Sequence, residues 1–294
     1  SGDLLRESKI RKKNRNSKAL SPTISSVILT GTIVALLCVA LVFVNNRLWY
    51  SVAESEFNSA KQYMQTIGLQ MDDVAWTVGR KETVRYSSSY GSVSILSNAL
   101  NYTVYVKTQG SGSYQYFANY TVSILLFNMP VSRYSITDGY YEQIFPPATN
   151  NLTLSGTSAP VARVFVVEKL TPRMDDGSFT RVVVAPTVRV VSSDMKTGSS
   201  VYYLKLYLAR LVKGSVLGSA QSVTMTGSSI ETRTMSQVTS VRVTVNFPQQ
   251  GLGFDNPFFH FPSLSQTIDI PGGYNDAMLE LYAGKVETVL GVNA

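Results

Sequence analysis

The hydrophobic positions along the chain fall into three successive patterns. Residues Ala19 to Asn46 carry no charge, and from Ile24 to Val44 the chain is almost wholly apolar. At about 1.5 Å rise per residue, those 21 residues make a helix of roughly 31 Å, the thickness of a bilayer's hydrocarbon layer. Thirteen of them are Leu, Ile, Val or Phe, which at a helix centre favour insertion by about 4 to 8 kcal/mol in total. Ser25, Ser26, Thr30 and Thr32 can bond back to helical carbonyls and so do not cancel that gain. The run is too long for the apolar region of an ordinary secretory signal, and Val44-Asn45-Asn46-Arg47 is not a small-residue cleavage site.

Beyond Arg47 the pattern becomes amphipathic. Ala53, Phe57, Ala60, Met64, Ile67, Met71, Val74 and Val78 recur at alternating spacings of four and three, the seam of a helix packed lengthwise against something. Glu54, Ser55, Glu56, Asn58, Lys61 and Gln62 fill the other face. Gly68 weakens the helix without ending it, and Gly79 is a natural stop. If residues 20–78 form one helix, it is a rod of about 88 Å; a break near Asn45-Asn46 would give two. Either this chain's own sheet or neighbouring subunits must cover the seam.

From Glu82 the period is two. Tyr102, Val104 and Val106 alternate with Thr103, Tyr105 and Lys107, and Tyr202, Leu204, Leu206 and Leu208 with Tyr203, Lys205 and Tyr207. Val241, Val243, Val245 and Phe247 do so against Arg242, Thr244 and Asn246. These are half-buried strands. Turn signals separate them at Tyr90-Gly91, Gly110-Ser111-Gly112, Asp175-Asp176-Gly177 and Gly272-Gly273. The expected fold is therefore α+β: a long N-terminal helix, transmembrane and then amphipathic, followed over residues 80–294 by an antiparallel β-sandwich. Residues 146–160, rich in Pro, Asn, Ser and Thr, are the one candidate boundary within that region.

Charge adds a topology. The chain's net charge is +7. Arg6, Lys9, Arg11, Lys12, Lys13, Arg15 and Lys18 against Asp3 and Glu7 place a net +5 before the apolar run, leaving +2 after it. By the positive-inside rule the N-terminus is cytoplasmic and the C-terminal region extracellular. The near-neutral outer region lacks the electrostatic term that dominates nucleic-acid affinity, so no nucleic-acid partner is expected. The single cysteine, Cys38, lies in the apolar run, so no intramolecular disulfide stabilises the outer region.

Groups able to carry chemistry are sparse. His260 is the only histidine, in Phe258-Phe259-His260-Phe261-Pro262, and is expected in an aromatic cluster or facing water. There is no Gly-x-Ser-x-Gly elbow and no Gly-rich phosphate loop. Asp72-Asp73 sit on different helix faces, and Asp175-Asp176-Gly177 is turn chemistry, with calcium in a loop as the open alternative. No cofactor, metal or catalytic residue is assigned. Three Asn-x-Thr sequons, at Asn101, Asn119 and Asn151, are candidate N-glycosylation sites. In each, Asn and Thr would share the outer face while Tyr102, Tyr120 or Leu152 points inward.

The stretch Lys18-Ala19-Leu20-Ser21-Pro22-Thr23-Ile24, a basic leader and small residue opening an apolar helix, resembles the N-terminus of archaeal type IV pilin-like proteins. The resemblance covers roughly residues 9–78. It implies a cytoplasmic-face prepilin-type peptidase cutting between Ala19 and Leu20, which would remove a leader of residues 1–19. It also implies a helix that anchors the subunit and later joins like helices in a filament core, with a β-rich domain outside. Ala19 stands where the family often has Gly, and Ile24 where bacterial pilins have glutamate. The expectation is a non-enzymatic surface subunit serving as filament surface or adhesin, whose partners are the membrane, like subunits or other pilin-like proteins, and the peptidase. The alternative is an uncleaved single-span protein with a ligand- or partner-binding ectodomain.

Overall fold

The structure, a computed structural model, describes residues 22–147, 149–195, 200–216 and 221–291. It opens with α1 (Pro22–Ala75), which passes through Asn45 and Asn46 without interruption. Thirteen strands follow among the described residues: β1 (Lys81–Arg85), β2 (Ser92–Thr108), β3 (Gln115–Pro130), β4 (Tyr141–Phe145), β5 (Thr153–Ser155), β6 (Ala162–Lys169), β7 (Phe179–Pro186), β8 (Val188–Met195), β9 (Val201–Val216), β10 (Ser222–Met235), β11 (Val238–Asn246), β12 (Ser265–Asp269) and β13 (Asp276–Leu290). A four-residue helix, α2 (Asn256–Phe259), sits between β11 and β12, its first turn capped by the Asp255 carboxylate. The chain falls into two compact units that divide between Trp49 and Tyr50.

The first unit is the apolar half of α1. The second begins with the amphipathic half and holds every strand. Two sheets face each other, one ordered β12-β11-β2-β3-β7-β6-β4 and the other β1-β10-β13-β9-β8-β5. The first is antiparallel throughout. The second is mixed, which corrects the expectation of a wholly antiparallel sandwich: β9 pairs parallel with β13, and β5 with β8. The cause is a long return. The chain leaves β9 for β10, crosses to the other sheet as β11 and β12, and comes back as β13 between β10 and β9. A strand that fills that slot antiparallel to β10 must run parallel to β9. Period-two alternation encodes burial, not direction, so the sequence pattern is silent on this.

Two apolar layers result. Between the sheets lie Tyr102, Val104 and Val106 of β2, Leu204, Leu206 and Leu208 of β9, Val241, Val243 and Val245 of β11, and Leu279 and Leu281 of β13. This core includes residues from both sides of the 146–160 segment. The second layer joins the amphipathic half of α1 to the outer faces of β3, β6 and β7 and to β9, β10 and β13. Strands β6 and β7 are thus covered on both sides, which is why they read Val164-Phe165-Val166-Val167 and Val182-Val183-Val184-Ala185 without alternation.

The helix ends at Ala75, three residues before the expected limit. Gly79 follows with φ +85, and its N–H bonds the Gly227 carbonyl at 2.8 Å. Gly227 is required there, since a Cβ at that position would stand 2.4 Å from the Val74 carbonyl oxygen.

Candidate functional site

The candidate site is α1, whose two halves present different surfaces. In the first unit the apolar side chains point outward all round: Ile24, Val27, Ile28, Leu29, Leu36, Val39, Leu41 and Phe43 are each at least half exposed. An 18-residue window is apolar enough to cross a membrane, and none of it is buried. Ser26 and Thr32 donate to the carbonyls of Thr23 and Leu29 at 2.9 and 2.8 Å, so their hydroxyls are satisfied within the helix. Cys38 is exposed on the same surface. Arg47, Trp49 and Tyr50 close the run, residue types that suit a membrane–water interface. The expected cut site, Lys18, Ala19 and Leu20, lies outside the described residues.

In the second unit the seam is sealed. Ala53, Phe57, Ala60, Met64, Ile67, Met71 and Val74 are each 0% exposed. Val78, the last position of the spacing, falls beyond the helix and faces solvent. Phe57 sits between the rings of Tyr134 at 5.1 Å and Phe127 at 6.3 Å, while Tyr63 stacks on Tyr86 at 5.1 Å. Burial, with Tyr86 and Glu56 nearby, pushes the Tyr63 hydroxyl well above the usual phenol range. At Gly68 the helix lies close on the sheet: a Cβ there would lie 2.9 Å from Val164 Cγ2.

Polar clamps fix the helix at three levels. The Glu56 carboxylate accepts from Ser88 Oγ at 2.9 Å and from the N–H groups of Ser89 and Tyr90 at 3.0 and 3.2 Å. Lys61 pairs with Glu142 at 2.7 Å. Asp72 takes Arg189 at 2.8 Å on one oxygen and Trp76 Nε1 at 2.6 Å on the other. Each clamp joins α1 to a different strand or loop, so rotating the helix would break all three.

The candidate chemical groups do not converge. His260 caps α2 with φ +54 and stacks on Tyr141, centroids 4.1 Å apart and planes 8° from parallel. Burial holds its imidazole below the ordinary range, and nearby Lys169 acts in the same direction. Of the paired acids, Asp72 is engaged with Arg189, Asp73 with Arg80 at 3.4 Å, and Asp176 with Arg181 at 2.6 Å. Among the described residues no three His, Cys, Asp or Glu side chains gather as a metal site.

The sequons have a geometry that their spacing did not reveal. On β2 and β3, Asn101 stands opposite Thr121 and Thr103 opposite Asn119, so two sequons pair antiparallel with each other. Asn119 Nδ2 donates to Thr103 Oγ1 at 3.0 Å. Tyr102, Tyr120 and Leu152 point inward, but Thr103 and Thr153 are buried too, which departs from the expected outward Asn–Thr pair. Asn119 and Asn151 are exposed.

Sequence reasoning also missed four charged groups inside the apolar strands β6 and β7: Arg163, Glu168, Lys169 and Arg181. Glu168 accepts from Ser135 Oγ, the Ile136 N–H and Thr180 Oγ1 at 2.6 to 2.7 Å. Lys169 bonds Asp255 at 2.9 Å and the Gly253 carbonyl at 3.2 Å. The only available signal was charge interrupting a valine-rich run. Comparison with known proteins adds nothing to this geometry: no family model, no curated protein and no solved structure matches the chain.

Proposed function

We propose that this protein is a structural, non-enzymatic, pilin-like surface subunit, held by or polymerising through its N-terminal helix, with the β unit as filament surface or adhesive domain. The observation that carries the reading is the contrast between the two halves of α1. The amphipathic half finishes its burial within its own chain, whereas the apolar half, from Ile24 to Trp49, leaves large hydrophobic side chains uncovered. Such a surface needs lipid or other apolar helices.

The sheet edges favour association through the helix. Edge strands β1, β4 and β12 have five residues and β5 three, against 15 to 17 in the inner strands β2, β3, β9 and β13. Short edges offer little main chain for pairing between subunits, and the longer stretch left open among the described residues is β10 beyond Thr226, where its pairing with β1 ends. Outside α1 the exposed apolar residues are scattered singly, such as Tyr116, Ile230 and Leu264. The Lys18-Ala19-Leu20-Ser21-Pro22 stretch supplies the resemblance in processing.

The test is Ala19→Lys in the native cell, with the protein followed in membrane and mechanically sheared surface fractions. The reading expects the native protein among sheared filaments and the variant retained in the membrane at higher mass. A variant that reaches the sheared fraction at native mass contradicts it.

A further inference from the structure

Among the described residues four basic side chains are buried in the β unit, and three have a carboxylate: Arg181 with Asp176 at 2.6 Å, Lys169 with Asp255 at 2.9 Å and Arg189 with Asp72 at 2.8 Å. The fourth is Arg163, 0% exposed and on the face of β6 that carries Phe165 and Val167 into the space between the sheets. Its guanidinium carbon lies 4.0 Å from the ring centre of Phe261 and 5.7 Å from that of Phe165. Its Nη1 donates to the Asn150 carbonyl at 3.1 Å. Nε and Nη2 have no hydrogen-bond partner among the described residues. The Tyr102 phenol gives its hydroxyl to the Pro186 carbonyl at 2.8 Å, and His260 Nδ1, at the stack with Tyr141, is also buried without a partner.

Arginine cannot shed its proton at accessible pH, so this site holds a full positive charge in a medium that penalises it. Nε and Nη2 form one edge of the guanidinium and point their N–H bonds in parallel, the edge that receives a carboxylate, a nitrate or a halide between two donors. We propose that this edge of Arg163 is a binding site for a small monovalent inorganic anion, which acts as a structural counter-ion inside the sandwich. Access is at hand. A groove of about 400 Å³ is lined by Pro146, Thr149, Asn151, Thr153, Pro160 and Gln266. Thr149 and Asn151 flank the residue whose carbonyl Arg163 holds, and Thr153 Oγ1 is itself buried and unpartnered. A bound anion neutralises the guanidinium and satisfies two donors together. Water would satisfy the donors but leave the charge.

The test is thermal unfolding of the full chain in a zwitterionic detergent at constant ionic strength, with sodium gluconate replaced stepwise by sodium chloride or sodium nitrate. A ligand that binds only the folded state raises Tm with the logarithm of its concentration once that exceeds the dissociation constant, by roughly 4–8 °C at thirty times that constant for a unit of this size. Arg163→Met, of similar length and apolar, should fold and lose the anion-specific shift. If that variant does not fold, the native titration alone decides, through the logarithmic rise of one-site linkage against a linear or absent response. Equal melting of the native protein in the three salts overturns the proposal, as does a shift that survives in Arg163→Met.

Discussion

Phe57→Ala is the sharpest test of how the helix is held. The ring is fully buried, with Phe127 and Tyr134 on its flanks, in the layer that joins α1 to β3. Truncation removes the transfer energy of an aromatic side chain and leaves a cavity, because strand β3 is fixed by partners on both edges and cannot close in. Comparable core changes cost about 3–5 kcal/mol. At about 2–4 °C per kcal/mol for a domain of this size, Tm falls by roughly 6–20 °C. The assay is thermal unfolding in detergent micelles followed by the β-sheet circular dichroism signal, with Leu69→Ala as the control. Leu69 is on the same helix but 51% exposed, so its truncation should change stability by no more than about 0.5 kcal/mol. If the two variants melt together, the seam does not hold the helix to the sheets and the packing argument fails.

Two further outcomes follow from the same layer and its neighbour. Gly68→Ala should lower Tm, since the added Cβ meets the stiff side chain of Val164; a rise, as helix propensity alone would give by about 1 kcal/mol, contradicts the close approach. Tyr282 donates to Glu280 Oε2 at 2.8 Å, and that bond, with burial, pushes its hydroxyl up to about 12 from 10.0. A raised folded-state value means a stabilising contribution complete below pH 10 and lost as pH climbs toward 12. Spectrophotometric phenol titration should therefore lose a component near pH 12 in Tyr282→Phe, while the more deeply buried Tyr63 still ionises late, and an unchanged titration in that variant refutes the assignment.

What the sequence revealed divides along physical lines. The seam from Ala53 to Val74 was legible because a 3.6-residue period repeats over many turns, and the outward apolar run because length and lack of charge suffice. Alternation likewise placed Val104, Leu206 and Val243 in one core. The parallel pairing of β9 and β13 was not legible, because strand direction depends on where β13 returns, many residues downstream. Strands β6 and β7 carry no alternation, being covered on both faces, and nothing local announces that Arg163 and Arg181 turn into the protein and not out of it. The mutual pairing of the Asn101 and Asn119 sequons depends on β2–β3 register, which a hairpin with shifts between Leu96 and Leu100 and between Val104 and Tyr105 does not disclose from its turn alone.

We propose that the exposed apolar half of α1 is exchanged between membrane and filament after processing in the pilin manner. Its most direct test is the N-terminal residue of the protein isolated from its native cell envelope, read by intact mass and terminal sequencing. The expected terminus is Leu20, with the basic leader gone. Envelope protein that retains Lys18 and Ala19 contradicts it and describes instead a permanently anchored single-span protein.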